Sequence, residues 1–351
     1  MKKRFLILLL SLSTSIFAQE PKVILVTLDG VRWKEVFRGA EKSILENEKY
    51  TSTSKQTTED FWNEDSIKSR ELLMPFTWNY IKKNGVILGN RDEKNVVNLV
   101  NKHLWSYPGY NEIITGKADD INITNNKPVK NPNVSIFEIA NQQKELSGKV
   151  MVFGSWTMFP NIYNEERSKL LINAGYQQSF NPNKTEKEVL IERFQQETPR
   201  QWNGTRFDIF THEFALEAMK NHHPKLVFVG YGEADDFGHD ADYDQYINAI
   251  NRNDRMIEEL WNYVQSDPFY KDQTTIIVTT DHGRGNGTEW TDHNAKVKGS
   301  DEGFILMFGK GVNPQKIKLK KSSTNQIAST IAELLKLKNW KDKSVGKSLF
   351  R

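Results

Sequence analysis

Lys225-Leu-Val-Phe-Val-Gly-Tyr-Gly-Glu-Ala-Asp-Asp-Phe-Gly-His239 opens as an apolar run too short for a helix and closes on carboxylates and an imidazole. Such a run, bounded by glycines, reads as a strand buried on both faces, the pattern of a parallel sheet covered by helices. Two other stretches repeat the arrangement. Lys22 to Leu28 runs into Asp29-Gly30, and Thr274 to Thr279 runs into Thr280-Asp281-His282-Gly283. Asp29, Asp235 and Asp281 therefore each stand just beyond a strand. In open α/β sheets that carboxyl edge is where ligands bind.

Outward from these strands the pattern alternates. Helices are expected around Val31 to Phe37, Glu71 to Lys82, just after Ser106 to Gly116, Ser135 to Gln143, Glu186 to Gln196, Asp208 to Asn221, Tyr243 to Gln265 and Asn325 to Lys336. Further strands are expected at Lys149 to Phe153 and Phe304 to Phe308. The fold class is thus α/β, a mostly parallel central sheet with helices on both faces. Glu41 to Ser69 is polar and reads as a surface insertion; residues 157–224 carry no ligand signature and read as a cap or lid. With 351 residues, one domain over 19–351 is the simpler organisation.

The chain opens with Lys2, Lys3 and Arg4, an apolar run from Phe5 to Leu10, and small residues by Ser15 and Ala18. These are the parts of a secretory signal over residues 1–18, cleaved near Ala18 and Gln19, and they imply a periplasmic or secreted protein. The run is too short to span a bilayer, and no later segment reads as a membrane span. The 48 basic and 45 acidic residues become 45 of each once the signal is removed. That balance offers no broad basic face for a nucleic-acid duplex. The absence of cysteine excludes disulfides, thiolate ligands and a cysteine nucleophile. Any metal must sit on histidine and carboxylate. Oligomeric state is not encoded legibly.

Asp235 and His239 lie four residues apart, with Gly238 permitting a tight turn that aims both at one ion. Asp281 and His282 are adjacent, so they must lie where a strand breaks into a loop, and His293 can return across the same edge. Singly, each has a plain structural role; together, all after strands, they point to a metal centre. His103, His212, His222 and His223 lack this context. Ser106, in Leu-Trp-Ser-Tyr-Pro-Gly-Tyr-Asn-Glu-Ile-Ile-Thr-Gly116, is the candidate nucleophile. A divalent cation can stabilise its alkoxide, and a helix start supplies free N–H donors to a phosphoryl group. On that segment alone, the commoner role for a serine is the N-cap.

This arrangement resembles the alkaline phosphatase superfamily, most closely its type I phosphodiesterase and nucleotide pyrophosphatase branch. The motifs are Leu-Asp-Gly at 28–30, the hydroxyl residue before an aromatic and proline at 106–108, Ile-Thr-Gly at 114–116, Glu-x-Asp-x-x-Gly-His at 233–239, Thr-Asp-His-Gly at 280–283, and His293. The resemblance implies two divalent cations, zinc with manganese as the alternative. Asp29, Ser106, Asp281 and His282 would surround one; Asp235, His239 and His293 would surround the other. It also implies an asparagine on a phosphate oxygen, for which Asn126 is the nearest fit and Asn125 the second. Ser106 and Gly109 depart from the branch's usual threonine and asparagine.

The implied activity is phosphoric ester hydrolysis on a small substrate through a phospho-serine, as phosphodiesterase or phosphomonoesterase. A phosphotransferase on the same scaffold is the alternative, with sulfatase a lesser one because Ser106-Tyr-Pro-Gly-Tyr110 lacks the required arginine. Trp105, Tyr107, Trp156 and Phe159 are candidates for an apolar wall against a diester, and Lys127 or Arg284 for a cation facing a monoester.

Overall fold

Side chains of the first strand divide between two cores: Val23 and Leu25 face one, Ile24, Val26 and Leu28 the other. That period of two, with every position buried, is what a central parallel strand under two helical layers requires. The computed structural model describes residues 20–340 and 344–350. The expected signal at residues 1–18 lies outside them.

Among the described residues ten strands form: β1 (Lys22–Leu28), β2 (Gly85–Leu88), β3 (Val96–Asn98), β4 (Val150–Gly154), β5 (Leu171–Ala174), β6 (Leu226–Tyr231), β7 (Thr274–Thr279), β8 (Glu302–Gly303), β9 (Ile305–Gly309) and β10 (Lys321–Ser323). Seven make the main sheet in the order β2-β9-β7-β1-β6-β4-β5; β10, β3 and β8 make a small second sheet. β5, β4, β6, β1 and β7 run parallel, while β9 runs antiparallel to both β7 and β2. The α/β class with a mostly parallel sheet is therefore the observed one. Thr27 pairs with both Gly230 and Thr279, so β1, β6 and β7 end level with one another. Asp29 and Asp281, each two residues further on, leave the sheet at the same height.

One face carries helices Ser106–Thr115, Ile136–Asn141 and Ile327–Leu334; the other carries Asp208–His222 and Tyr243–Ser266. Residues 41–69, expected as a surface insertion, instead fold into short helices Lys42–Leu45, Ser54–Phe61 and much of Ser66–Leu73. Of their apolar residues, Ile44, Leu45, Tyr50 and Phe61 are buried in the core below and Trp62 packs against it, while Ile67 is exposed. The helix expected over 71–82 breaks, because Pro75 cannot continue the one ending at Leu73. Residues 157–224, expected as a cap, supply edge strand β5 and helix Asp208–His222 on the sheet face, while the intervening chain returns to pair Thr205 with Trp156.

Beyond Pro75 the chain is restarted by Asp254, whose carboxylate accepts from Phe76 N (2.7 Å), Thr77 N (3.0 Å) and Thr77 Oγ1 (2.6 Å). Burial is the main cause that pushes this carboxyl up from 3.8 to about 6. A raised folded pKa adds stability below the unfolded value and loses it as pH rises through the folded one. Wild type is expected to lose on the order of 3 kcal/mol between pH 4 and 6 that Asp254→Asn does not lose. Denaturant unfolding across that window measures it, and a wild-type-to-variant difference that stays flat contradicts it.

Candidate metal centre

Three turns off the sheet bring the acidic side chains together. Gly30, at φ +63°, makes the first possible: a Cβ there would meet Asp235 Oδ1 at 2.4 Å, so only glycine lets β1 end this close to the helix Glu233–His239. Its N–H donates to Asp281 Oδ1 at 3.2 Å, tying the first turn to the third.

His282 sits at the centre. Its Nε2 lies 3.3 Å from Asp29 Oδ1, 3.6 Å from Asp281 Oδ2, 3.7 Å from Asp235 Oδ1 and 3.2 Å from Ser106 Oγ. Its Nδ1 is 2.9 Å from the Gly283 carbonyl, and that of His293 is 2.9 Å from the Leu104 carbonyl. A carbonyl oxygen only accepts, so in both rings Nδ1 carries the proton and Nε2 presents a lone pair inward. The two rings stack at 3.6 Å. His239 Nε2 reaches Asp235 Oδ2 at 3.2 Å and His293 Nε2 at 3.1 Å, with its side chain exposed at the mouth of the site.

All seven residues expected around the cations, Asp29, Ser106, Asp235, His239, Asp281, His282 and His293, thus converge on one region. Donor atoms of Asp29, Asp281 and His282 lie within 4.8 Å of one another, as do those of Asp235, His282 and His293. The two groups share His282. Asp29 Oδ1 and Asp281 Oδ2 are buried without a hydrogen-bond partner, a costly state for carboxylate oxygens unless a cation compensates. Lone pairs and unpartnered anionic oxygens face the same points, which is the donor set of an N/O-ligated divalent cation.

Electrostatics agree with that reading. Burial, then the nearby Asp235, pushes Asp29 up to about 8, and burial, then Asp29, pushes Asp281 well above the carboxylate range. Burial acts on Asp235 in the same direction, but Arg284, His239 and His293 outweigh it and hold this carboxyl well below its usual value. Burial lowers His282 to about 4 and, with His282 alongside, also lowers His293. Both imidazoles are therefore neutral at pH 7.

Ser106 is the first helical residue, not the cap: Trp105 holds the N-cap position and makes no side-chain hydrogen bond there. Asn126 does that work from another loop, its Oδ1 accepting Tyr107 N at 2.9 Å. Pro108 brings no N–H, so the helix start stays open beside a serine hydroxyl free to point at His282. Gly109 has its own reason: a Cβ there would meet the Asp281 carbonyl oxygen at 2.0 Å, so this helix rests directly on the third turn.

Arg284, considered from sequence as a cation for substrate, is instead committed to the protein. It is buried, paired with Asp235, and donates Nε to Trp290 O at 2.8 Å. Tyr107 and Phe159 lie in the core, whereas Trp105 is 36% exposed with its ring edge-to-face on His293 at 5.4 Å. Lys127 is exposed beside Asn126. Tyr110, which donates to Asp29 Oδ2 at 2.8 Å, escaped the sequence reading; its position one helical turn beyond Ser106 was the available signal. His103 bonds Asp120 O, and His212 bonds Tyr231 and Glu259, outside the cluster.

Residues 169–339 match the model of the Metalloenzyme superfamily. A phosphoglycerol transferase I of Salmonella choleraesuis (strain SC-B67) is 25% identical over 179 residues, 50% of this chain and 22% of that protein. A 2,3-bisphosphoglycerate-independent phosphoglycerate mutase of Gracilaria tenuistipitata var. liui is 28% identical over 131 residues, 36% of this chain and 24% of that one. These matches span under a quarter of the relatives' length. Among solved structures, the lipoteichoic acid synthase LtaP from Listeria monocytogenes aligns with TM-score 0.59 at 11% identity, over 94% of this chain and 75% of that one. The alkaline phosphatase PafA aligns with TM-score 0.57 at 10% identity, over 94% and 98%. At these identities the structures speak for the fold alone. Over residues 169–339 the chain is similar to the Metalloenzyme superfamily, and its fold is that of alkaline phosphatase-like structures.

Protein stripped with chelator is expected to regain stability when zinc or manganese is added, by about 2.7 kcal/mol at a hundredfold excess over Kd. Asp281→Asn is expected to lose most of that gain. Thermal melts with and without metal measure both, and an equal gain in the variant contradicts the assignment.

Proposed function

We propose that this protein is an exported two-metal enzyme that cleaves phosphoric esters through a covalent phospho-serine at Ser106, acting as a phosphodiesterase of the nucleotide pyrophosphatase kind. The observation that carries the reading is the Ser106 hydroxyl, 3.2 Å from His282 Nε2 at a helix start capped by Asn126 rather than by the serine, inside a cage of three carboxylates and three imidazoles. Two divalent cations, zinc or manganese, held by Asp29, Asp281 and His282 with Ser106 and by Asp235, His239 and His293, supply Lewis acidity and favour the serine alkoxide when bound.

The chain's own residues do the rest. Ser106 Oγ forms the bond to phosphorus as the alcohol or nucleotide departs on the opposite side, and water then displaces Ser106, restoring its hydroxyl. The Ser106 N–H and the helix start offer donors to the phosphoryl oxygens, and the Asn126 amide stands beside them. A diester is favoured over a monoester by what surrounds the serine. Trp105 presents an exposed aromatic face suited to a second organic group, while Arg284 is spent on Asp235.

A second reading, phosphotransfer to an alcohol, is favoured by the partial match to phosphoglycerol transferase I. The same phospho-serine serves both; only the acceptor differs. Added glycerol that yields a phosphorylated glycerol product would select transfer, and product limited to free acid would select hydrolysis.

Ser106→Ala is expected to lower turnover of a bis-nitrophenyl phosphate at least a thousandfold while the protein keeps its bound metal by elemental analysis. Unchanged turnover removes Ser106 from the reaction. A mono-nitrophenyl ester cleaved faster than the diester by wild type reverses the order proposed for substrates.

A further inference from the structure

We propose that Tyr110 is a positioning residue: its hydroxyl selects which oxygen of Asp29 is offered to the cation shared with Asp281 and His282, and so fixes that cation with respect to Ser106. The proposal rests on the metal-centre reading above. Tyr110 is 1% exposed, and its hydroxyl donates to Asp29 Oδ2 at 2.8 Å. With Oδ2 occupied, the unpartnered Oδ1 is the atom 3.3 Å from His282 Nε2. The ring is immobilised edge-to-face against Phe159 (4.9 Å) and Phe228 (6.2 Å), so the hydroxyl has little freedom to serve another acceptor.

The location of Tyr110 gives this bond its consequence. Tyr110 is one turn beyond Ser106 on the same helix and adjacent to Gly109, the point at which that helix touches the Asp281 carbonyl. A shift of the helix therefore moves the serine and the Asp29 carboxylate together. The other end of the segment holds the other group of ligands. Leu104, at φ +54°, turns its carbonyl to the Nδ1 of His293 at 2.9 Å, and its N–H is held by Asn101 Oδ1 at 2.8 Å. Asn101 is in turn gripped by Glu112 of the serine helix, which accepts its N–H at 2.8 Å and its Nδ2 at 2.9 Å. Each donor group thus has one ligand oriented from the serine segment, Asp29 by Tyr110 and His293 by Leu104. Removal of the Tyr110 hydroxyl should disturb only the first.

The test uses Tyr110→Phe in the full chain, with zinc content measured after dialysis against a graded series of chelator buffers. Wild type is expected to hold two zinc ions. The variant is expected to release one of them at roughly 10–100-fold higher free zinc than wild type, with the second unchanged. kcat on bis-nitrophenyl phosphate should fall with the lost ion and recover in excess zinc, while KM stays near wild type. Phe159→Leu, which alters the packing of the ring but leaves its hydroxyl, should keep the wild-type zinc profile. Two ions retained at wild-type affinity in Tyr110→Phe, both ions weakened alike, or the same profile in Phe159→Leu overturns the proposal. A wild-type protein that binds no zinc or manganese overturns the metal-centre reading itself.

Discussion

Concentrated negative charge at the carboxyl edge of the sheet is the constraint on which the rest of the structure depends. Asp29, Asp235 and Asp281 are held near one another in a largely buried space by strands that end level, and burial alone drives such groups toward protonation. The protein answers with a buried arginine, Arg284, which pairs with Asp235. Asp29 and Asp281 keep buried oxygens that no protein donor satisfies. A fold that positions two carboxyl groups so firmly without partnering them is built for a partner from outside, and the neutral Nε2 atoms facing the same space suit a cation.

This constraint also explains why the serine helix sits where it does. Gly109 lets the helix rest on the Asp281 carbonyl, and Asn126 caps Tyr107 so that Ser106 need not. A serine at a helix start would ordinarily spend its oxygen on the backbone. Transfer of that duty to a neighbouring loop frees the hydroxyl and leaves donors directed at the space where a phosphoryl group would lie.

Much of this was legible in the amino-acid sequence because it is local. Asp29, Asp235 and Asp281 each follow an apolar run long enough for one strand, and His239 and His282 lie within four residues of their partners, so the cluster of candidate ligands could be read without knowledge of the tertiary fold. Other parts depend on contacts between distant segments. Tyr110 looks like any core aromatic until Asp29 is placed opposite it, and Arg284 looks like a surface cation until Asp235 is. Tyr50 and Phe61 sit in a polar stretch whose burial follows only from the packing of Tyr50 against Trp290, 240 residues away in sequence. Strand β5 has four residues and was hidden in what read as a cap. Short edge strands carry too few positions for periodicity to declare them.

The central claim is that the side chains of Asp29, Asp235, His239, Asp281, His282 and His293 cage two cations within reach of Ser106. Anomalous diffraction from crystals grown with zinc or manganese addresses it most directly. The account predicts two strong peaks in this cage, one against Asp29, Asp281, His282 and Ser106 and the other against Asp235, His239 and His293. A cage without peaks in metal-soaked crystals, or metal bound only elsewhere on the chain, would contradict it.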